Sequence, residues 1–206
     1  MKKLGRLHRT NLKKIIDHIS SIVLISSFLF VFTAHSQNID YKFNQLDFND
    51  GLSNLSVSCF AKDELGFIWI GTEDGLNRYD GKNLKVYRNI EGKQNSITNN
   101  TISALLATGK YLWIGNNGIG IDRYNMETDE FKNFKTTSDD RTVFPKSVST
   151  IIELQNKNIL IGAINGLYIF DTQNETLSPY FQGEAKKFFS GINVKSIIEE
   201  DEKIWL

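Results

Sequence analysis

One short element recurs along this chain, and it limits the possible folds more than any other feature. It reads Ile68-Trp69-Ile70-Gly71, then Leu112-Trp113-Ile114-Gly115, then Ile159-Leu160-Ile161-Gly162, and starts again as Ile204-Trp205-Leu206. The steps from Trp69 to Trp113, to Leu160 and to Trp205 are 44, 47 and 45 residues. A period in the mid-forties marks a repeat architecture and fits a four-stranded propeller blade. Within each period four short β-rich runs alternate with turn residues: "LSVSCFA", "FIWIG", "LNRYD" and "LKVYRN" in the first. The same order returns as "TISALLA", "LWIG", "IGIDRYN" and "FKNFKT", and then as "SVSTIIEL", "ILIG", "LYIFD" and "LSPYFQ". No helical periodicity follows the N-terminal segment, and the whole chain has two prolines. The pattern predicts an all-β fold, a partial β-propeller of about three and a half four-stranded antiparallel blades. The repeats span about 51–94, 95–140, 144–185 and 192–206, the last cut off in mid-strand.

Each repeated position has a physical task. The first run is nearly all apolar and reads as the inner strand, buried on both faces. Trp69, Trp113 and Trp205, with Leu160 in the third repeat, are large apolar bodies suited to the wedge between neighbouring blades. Gly71, Gly115 and Gly162 allow close backbone approach. The tyrosines of "NRYD" and "DRYN" cap the third strand. A single blade cannot bury both of its faces, so the unit must stack on copies of itself. Three and a half blades close no ring of ordinary size, so the chain alone is expected to be marginal, aggregation-prone or oligomeric. The segment around Tyr41–Asp47 is expected to be a strand that completes the last blade of a longer parent.

The N-terminus reads differently. Lys2, Lys3, Arg6, Arg9, Lys13 and Lys14 precede an uncharged apolar stretch, Ile19–Phe32, and Ala34-His35-Ser36 follows. This order describes a helical signal peptide over 1–36, cleaved after Ser36, with 37–206 exported to the periplasm. The alternative is an uncleaved membrane anchor. The complete chain has formal charge zero, and removal of a basic leader leaves more acids than bases. Neither state suggests a nucleic-acid partner. Membrane contact is expected only through the leader or a helix further downstream.

All three histidines, His8, His18 and His35, lie in the leader. The exported part therefore lacks the residue needed for a Ser-His-Asp or Cys-His arrangement, a His metal site or a phospho-accepting histidine. No metal site, cofactor or catalytic residue is expected, and the chain reads as no enzyme. Adjacent acids such as Glu73-Asp74 and Asp139-Asp140 fall in turns, where acids are ordinarily solvated. Gly115-Asn116-Asn117-Gly118-Ile119-Gly120 opens no helix and is no phosphate loop. Cys59, the single cysteine, sits in "VSCFA" and reads as a buried strand thiol.

Binding on such a scaffold would fall on loops. In an up-and-down blade the turns between second and third strands share one face with the inter-blade connections. That face would carry Glu73, Asp74, Asn116, Asn117 and Asn165, and the connection "KTTSDDRTVFPKS" adds Arg141 and Phe144. Amides, acids and an aromatic platform there suit an oligosaccharide or another small extracellular ligand.

The run "GLSNLSVSCFAKDELGFIWIGTEDGLNRYDG", Gly51–Gly81, resembles the two-component regulator propeller repeat. "YKFNQLDFNDGLSN", Tyr41–Asn54, is similar to the start of the sensors that carry it. The third repeat departs from the pattern, with Leu160 for Trp and Ala163-Ile164-Asn165 after the glycine. The resemblance covers about Asp40–Leu206. It implies the N-terminal part of a periplasmic sensor of a hybrid two-component system of the Bacteroidetes type. Such sensors have two seven-bladed propellers, a β-sandwich, a membrane helix and a histidine kinase. The parent would signal as a homodimer, and the ligand would be glycan-derived. The competing readings are an exported propeller enzyme, such as a lyase or quinone-dependent dehydrogenase, and an adhesion or scaffold propeller.

Overall fold

The computed structural model describes residues 14, 17–23, 42–118, 120–134, 144–189, 191–201 and 203–206. It divides into two units, residues 1–44 and 45–206. In the first, residues 14 and 17–23 are helical. Among the described residues no helix is long and apolar enough to cross a membrane. The proposed cleavage after Ser36 lies outside the described residues.

The second unit holds every described strand. Blade 1 comprises β1 (Val57–Lys62), β2 (Ile68–Thr72), β3 (Gly75–Tyr79) and β4 (Leu84–Tyr87). Blade 2 comprises β5 (Ile102–Thr108), β6 (Tyr111–Asn116), β7 (Ile121–Asn125) and β8 (Glu130–Phe134). Blade 3 comprises β9 (Val148–Glu153), β10 (Ile159–Ala163), β11 (Gly166–Asp171) and β12 (Thr176–Pro179). After it come a short helix, α1 (Gly183–Phe189), and a two-stranded sheet, β13 (Ile198–Glu200) and β14 (Lys203–Trp205). Each blade is an antiparallel meander in sequence order.

Three expectations need correction, the third being the tyrosine cap treated below. The first strands are not buried on both faces: β1 is largely exposed, and β5 and β9 are mixed. The most buried strands are the second ones, β2, β6 and β10. The sheet order explains this. A first strand forms one edge of its blade, whereas a second strand is flanked on both sides and packed against other blades. No strand forms at 42–47 either; an Asp47 turn follows, in which the carboxylate accepts the Asn49 amide at 2.7 Å.

The blades are joined by one device used three times. Each first strand carries a bulge where it pairs with its second strand, and the extra residue is a serine: Ser58, Ser103 and Ser149. The bulge turns the hydroxyl toward the next blade. There Ser58 donates to the carbonyl of Ile102, Ser103 to that of Val148, and Ser149 to that of Val194. Directly opposite, the repeat glycine has no room for a side chain. A Cβ on Gly71 would sit 2.7 Å from Ile102 Cγ2, one on Gly115 2.5 Å from Val148 Cγ1, and one on Gly162 2.7 Å from Val194 Cγ1. A β-branched knob from each blade thus seats on the bare glycine of the blade before it.

The tryptophans fill the space beside these knobs, as their size suggests. Trp69 is fully buried with Ile97, Ile102, Leu112 and Tyr124 of blade 2. Trp113 packs with Val148, Ile151 and Phe170 of blade 3. Leu160 takes the same place against Val194 and Ile197. Fully burying one such aliphatic side chain contributes about 1.5–3 kcal/mol. Tyr124 is no strand cap. It meets the preceding blade's Trp69 edge-on at 5.3 Å, as Phe170 meets Trp113 at 4.7 Å. Cys59 is half-buried beside Gly71, and burial pushes its thiol up. A raised thiol pKa suits the structural role read from the sequence.

Gly71→Ala is expected to cost about 1–3 kcal/mol, because the methyl displaces both Cys59 and Ile102. Urea unfolding followed by tryptophan fluorescence measures it.

Candidate functional site

The loop face is built from paired hydrogen bonds that tie each turn to two blades. The β2–β3 turn is held by Glu73 N–H donating to Ser56 of its own blade and Gly75 N–H donating to Asn100 of the next, at 3.2 and 2.8 Å. Asn117 N–H donates to Thr101 and Gly120 N–H to Pro145, at 3.1 and 2.8 Å. In blade 3 Ile164 N–H donates to Lys146, and the Asn165 carbonyl accepts from Gly191. The second-to-third-strand turns and the inter-blade connections therefore share one face.

Beneath each turn a buried polar group anchors the incoming connection. In blade 1 Ser53 N–H donates to Asn77 Oδ1 at 3.0 Å, and the Ser53 and Thr72 hydroxyls share a hydrogen bond of 2.8 Å. In blade 2 Asp122 takes the place of Asn77. Its carboxylate accepts from Thr98 N–H at 2.8 Å, the Thr98 hydroxyl at 3.0 Å, Asn133 Nδ2 at 2.9 Å and Asn116 Nδ2 at 3.2 Å. Burial pushes the Asp122 carboxyl up, against the pull of these donors. In blade 3 Tyr168 and Ala163 occupy the two strand positions, and Asn165 replaces the anchor. Asn165 Nδ2 donates to Tyr168 Oη and to the Phe144 carbonyl, and Oδ1 accepts from Lys146 N–H.

These bonds sort the candidate residues. Asn116 is fully buried in the Asp122 cluster, and Asn165 is partly buried with its amide engaged. Both set the shape of the face. Asp74 pairs with Arg88 at 3.0 Å across its turn. Glu73 and Asn117 are exposed, and Phe144 is half-buried. Arg141 lies outside the described residues. Among the described residues no three potential metal-ligating side chains converge.

The opposite face carries residues that the sequence reading passed over. Arg123 lies 4.3 Å above the Tyr111 ring and 5.5 Å from Trp113, and donates to Glu175 of blade 3 at 2.7 Å. Lys132 grips the same carboxylate. One blade earlier Lys85 holds Asp129 at 3.1 Å, and Arg78 lies over Phe67 and Trp69. The two clamped acids share a left-handed backbone, with φ of 57° at Asp129 and 53° at Glu175. The clue in the sequence was the recurring Arg-Tyr of "NRYD" and "DRYN", followed by Lys85 and Lys132. A cleft of about 540 Å³ opens beside Arg123, lined by Thr108, Glu153, Lys157 and Glu175. Two ion pairs lie in its wall: Arg123 with Glu175, and Lys157 with Glu153 at 3.4 Å.

Tyr124 and Lys85 hold Asp129 below the usual carboxylate range, and Lys132 and Arg123 do the same for Glu175. A depressed carboxyl contributes stability above the ordinary carboxylate range and loses it as pH falls through the depressed value. Both groups are well exposed, so solvent screening limits each clamp to under about 1 kcal/mol. Glu175→Gln should therefore destabilise slightly at neutral pH and match the unsubstituted chain at low pH, as urea titrations across the acid range would read. Asp122→Ala leaves buried donors unsatisfied and should cost at least about 2 kcal/mol. The same titrations measure it.

The model of the two-component regulator propeller matches residues 51–74. Histidine kinase P4 of Formosa agariphila is 40 % identical over 76 residues, which are 37 % of this chain and 6 % of that protein. The extracellular domain of a proposed hybrid two-component system of B. thetaiotaomicron, BT3049, superposes with TM-score 0.70 at 23 % identity, over 80 % of this chain and 24 % of that one. The extracellular domain of a proposed one-component system of the same organism, BT4673, gives 0.54 at 32 % identity, over 72 % and 18 %. The chain thus spans less than a quarter of the length of each relative. Residues 51–74 thus match a two-component regulator propeller repeat, and the described blades share the fold of these extracellular domains.

Proposed function

We propose that this chain is part of a non-catalytic, periplasmic sensor propeller of a two-component signalling protein. One observation carries the reading: a propeller repeat of this family sits in a fold shared with extracellular domains of such systems. In this reading the leader directs export and is cleaved after Ser36. The loop face then meets a small extracellular ligand of glycan origin, and the longer parent passes the event as a homodimer to a kinase across the membrane. Glu73, Asp74, Asn117, Phe144 and Arg141 would touch the ligand, while Asn116 and Asn165 hold the turns that present them. The supporting physics is the double tether of each turn, which gives exposed side chains a fixed base.

A panel of neutral and acidic oligosaccharides titrated calorimetrically into the chain tests the reading. One member is expected to bind. Glu73→Ala with Asn117→Ala should weaken it about tenfold, as loss of direct polar contacts does, without changing ligand-free stability. If none of the panel binds, the glycan assignment fails. If binding is indifferent to both substitutions, the loop-face assignment fails.

A further inference from the structure

The clamp between blades 2 and 3 holds an arginine that is used at one point only. Arg123 is 9 % exposed. The rings of Tyr111, Phe134 and Trp113 surround its guanidinium, with centroids 4.3, 5.3 and 5.5 Å away. A guanidinium carries five N–H donors. Among the described residues one acceptor meets them: Glu175 Oε1 takes a single bond from Nη2 at 2.7 Å. Lys132 holds the other oxygen of that carboxylate, so the two-pronged arginine–carboxylate pair does not form. No side-chain nitrogen or oxygen among the described residues is both buried and unpaired. The remaining Arg123 donors therefore reach open space, and Arg123 lines two clefts on the face opposite the loops.

The smaller cleft, of about 400 Å³, runs along β8 and falls in the size range of small-ligand sites. Its wall collects charges of both signs. Arg123 and Lys132 share the one carboxylate of Glu175, two cations against one acid, so one positive charge stays unmatched. Glu130 lies two residues before Lys132, on the same face of β8. It is exposed, accepts one bond from the Thr128 hydroxyl at 3.0 Å, and enters no ion pair among the described residues. Asn125 stands opposite Glu130 in the ladder, and its Oδ1 accepts from Glu127 N–H at 3.0 Å. The base of the cleft is held in place by Asn95, which accepts from Phe131 N–H at 2.7 Å and donates to the Asp129 carbonyl at 3.3 Å.

We propose that this cleft is a binding site for a free α-amino acid. The ligand carboxylate takes the open donors of Arg123, with Lys132 beside it, and the ligand ammonium meets the open oxygen of Glu130. The apolar part of the ligand lies toward Tyr111. The charges select this class. Phosphate or sulfate would set negative charge against Glu130 with no cation to offset it. A neutral saccharide would leave both unmatched charges unmet. The site lies on the face away from Glu73 and Asn117, so it stands independently of the glycan reading of the loop face.

Calorimetric titration of the full chain tests the site. The probes are L-leucine, N-acetyl-L-leucine, which keeps only the carboxylate, L-leucinamide, which keeps only the ammonium, and inorganic phosphate. L-Leucine should bind, and each single-charge probe should bind at least about tenfold more weakly, since each lacks one charged contact. Glu130→Gln should weaken L-leucine by about tenfold and leave N-acetyl-L-leucine unchanged. Glu130 is exposed and outside the clamp, so the urea midpoint should hold; the probe series on the unsubstituted chain stands whether or not it does. Glu73→Ala should leave L-leucine binding unchanged. The proposal is overturned if L-leucine does not bind, or if N-acetyl-L-leucine or phosphate binds as tightly. It is equally overturned if Glu130→Gln leaves L-leucine affinity as it was, or if Glu73→Ala lowers it.

Discussion

Everything in this fold depends on the contact between a bare glycine in one blade and a β-branched knob from the next. Gly71, Gly115 and Gly162 let Ile102, Val148 and Val194 approach to a separation that no alanine permits. That approach brings the bulged serine within reach of the neighbouring carbonyl and sets the depth of the wedge that Trp69, Trp113 and Leu160 fill. Tertiary packing, bulge position and side-chain choice in each repeat are solutions to the same joint. The large clusters of buried side chains accordingly lie between blades. Each blade lends stability to the next and has little alone, which is the energetic logic of a stacked repeat.

The two faces of the stack follow from this arrangement. On one, the turns are pinned by backbone hydrogen bonds from two blades and by buried anchors: Asn77 with Ser53, then Asp122 with Thr98. On the other, cation–acid clamps bridge blades 1 and 2 and blades 2 and 3. The clamps are exposed and individually weak, so they tune alignment while the glycine joint sets stability. Blade 3 has Ile169 and Ser178 opposite each other where blade 2 pairs Arg123 with Lys132, so among the described residues no such clamp leads onward from it. There the connection carries α1, and Phe181 stacks on Phe189 at 4.1 Å. Ligand recognition, in the function proposed, uses the first face because its exposed side chains stand on the stiffer base.

The architecture was legible in the sequence because its strongest signal, the spaced Trp-Gly element, is the joint itself. The strand order and blade boundaries follow from that spacing and from turn residues such as Asp74-Gly75 and Asn165-Gly166. Burial of the first strands was misread, because an apolar run such as "VSCFA" looks the same whether a neighbouring blade covers it or not. The serine bond was missed because a bulge leaves no mark in a sequence, and Ser58, Ser103 and Ser149 resemble ordinary strand hydroxyls. Topology puts the second-to-third-strand turns and the inter-blade connections on one face, yet the sequence could not separate Asn116, buried under Asp122, from Asn117, one residue on and exposed. That distinction depends on which way a side chain turns where β6 ends and the turn begins. The clamps were passed over because each joins residues more than forty positions apart, such as Lys132 and Glu175.

The most direct measurement of the central claim is a double-mutant cycle at one joint, Gly115→Ala with Val148→Ala. If the glycine exists to seat the knob, shrinking the knob must relieve the strain of the added methyl. The two substitutions together should then cost less than the sum of their separate costs, by at least about 1 kcal/mol. Additive costs would contradict the account, and would mean that Gly115 serves its own strand and not the blade beside it.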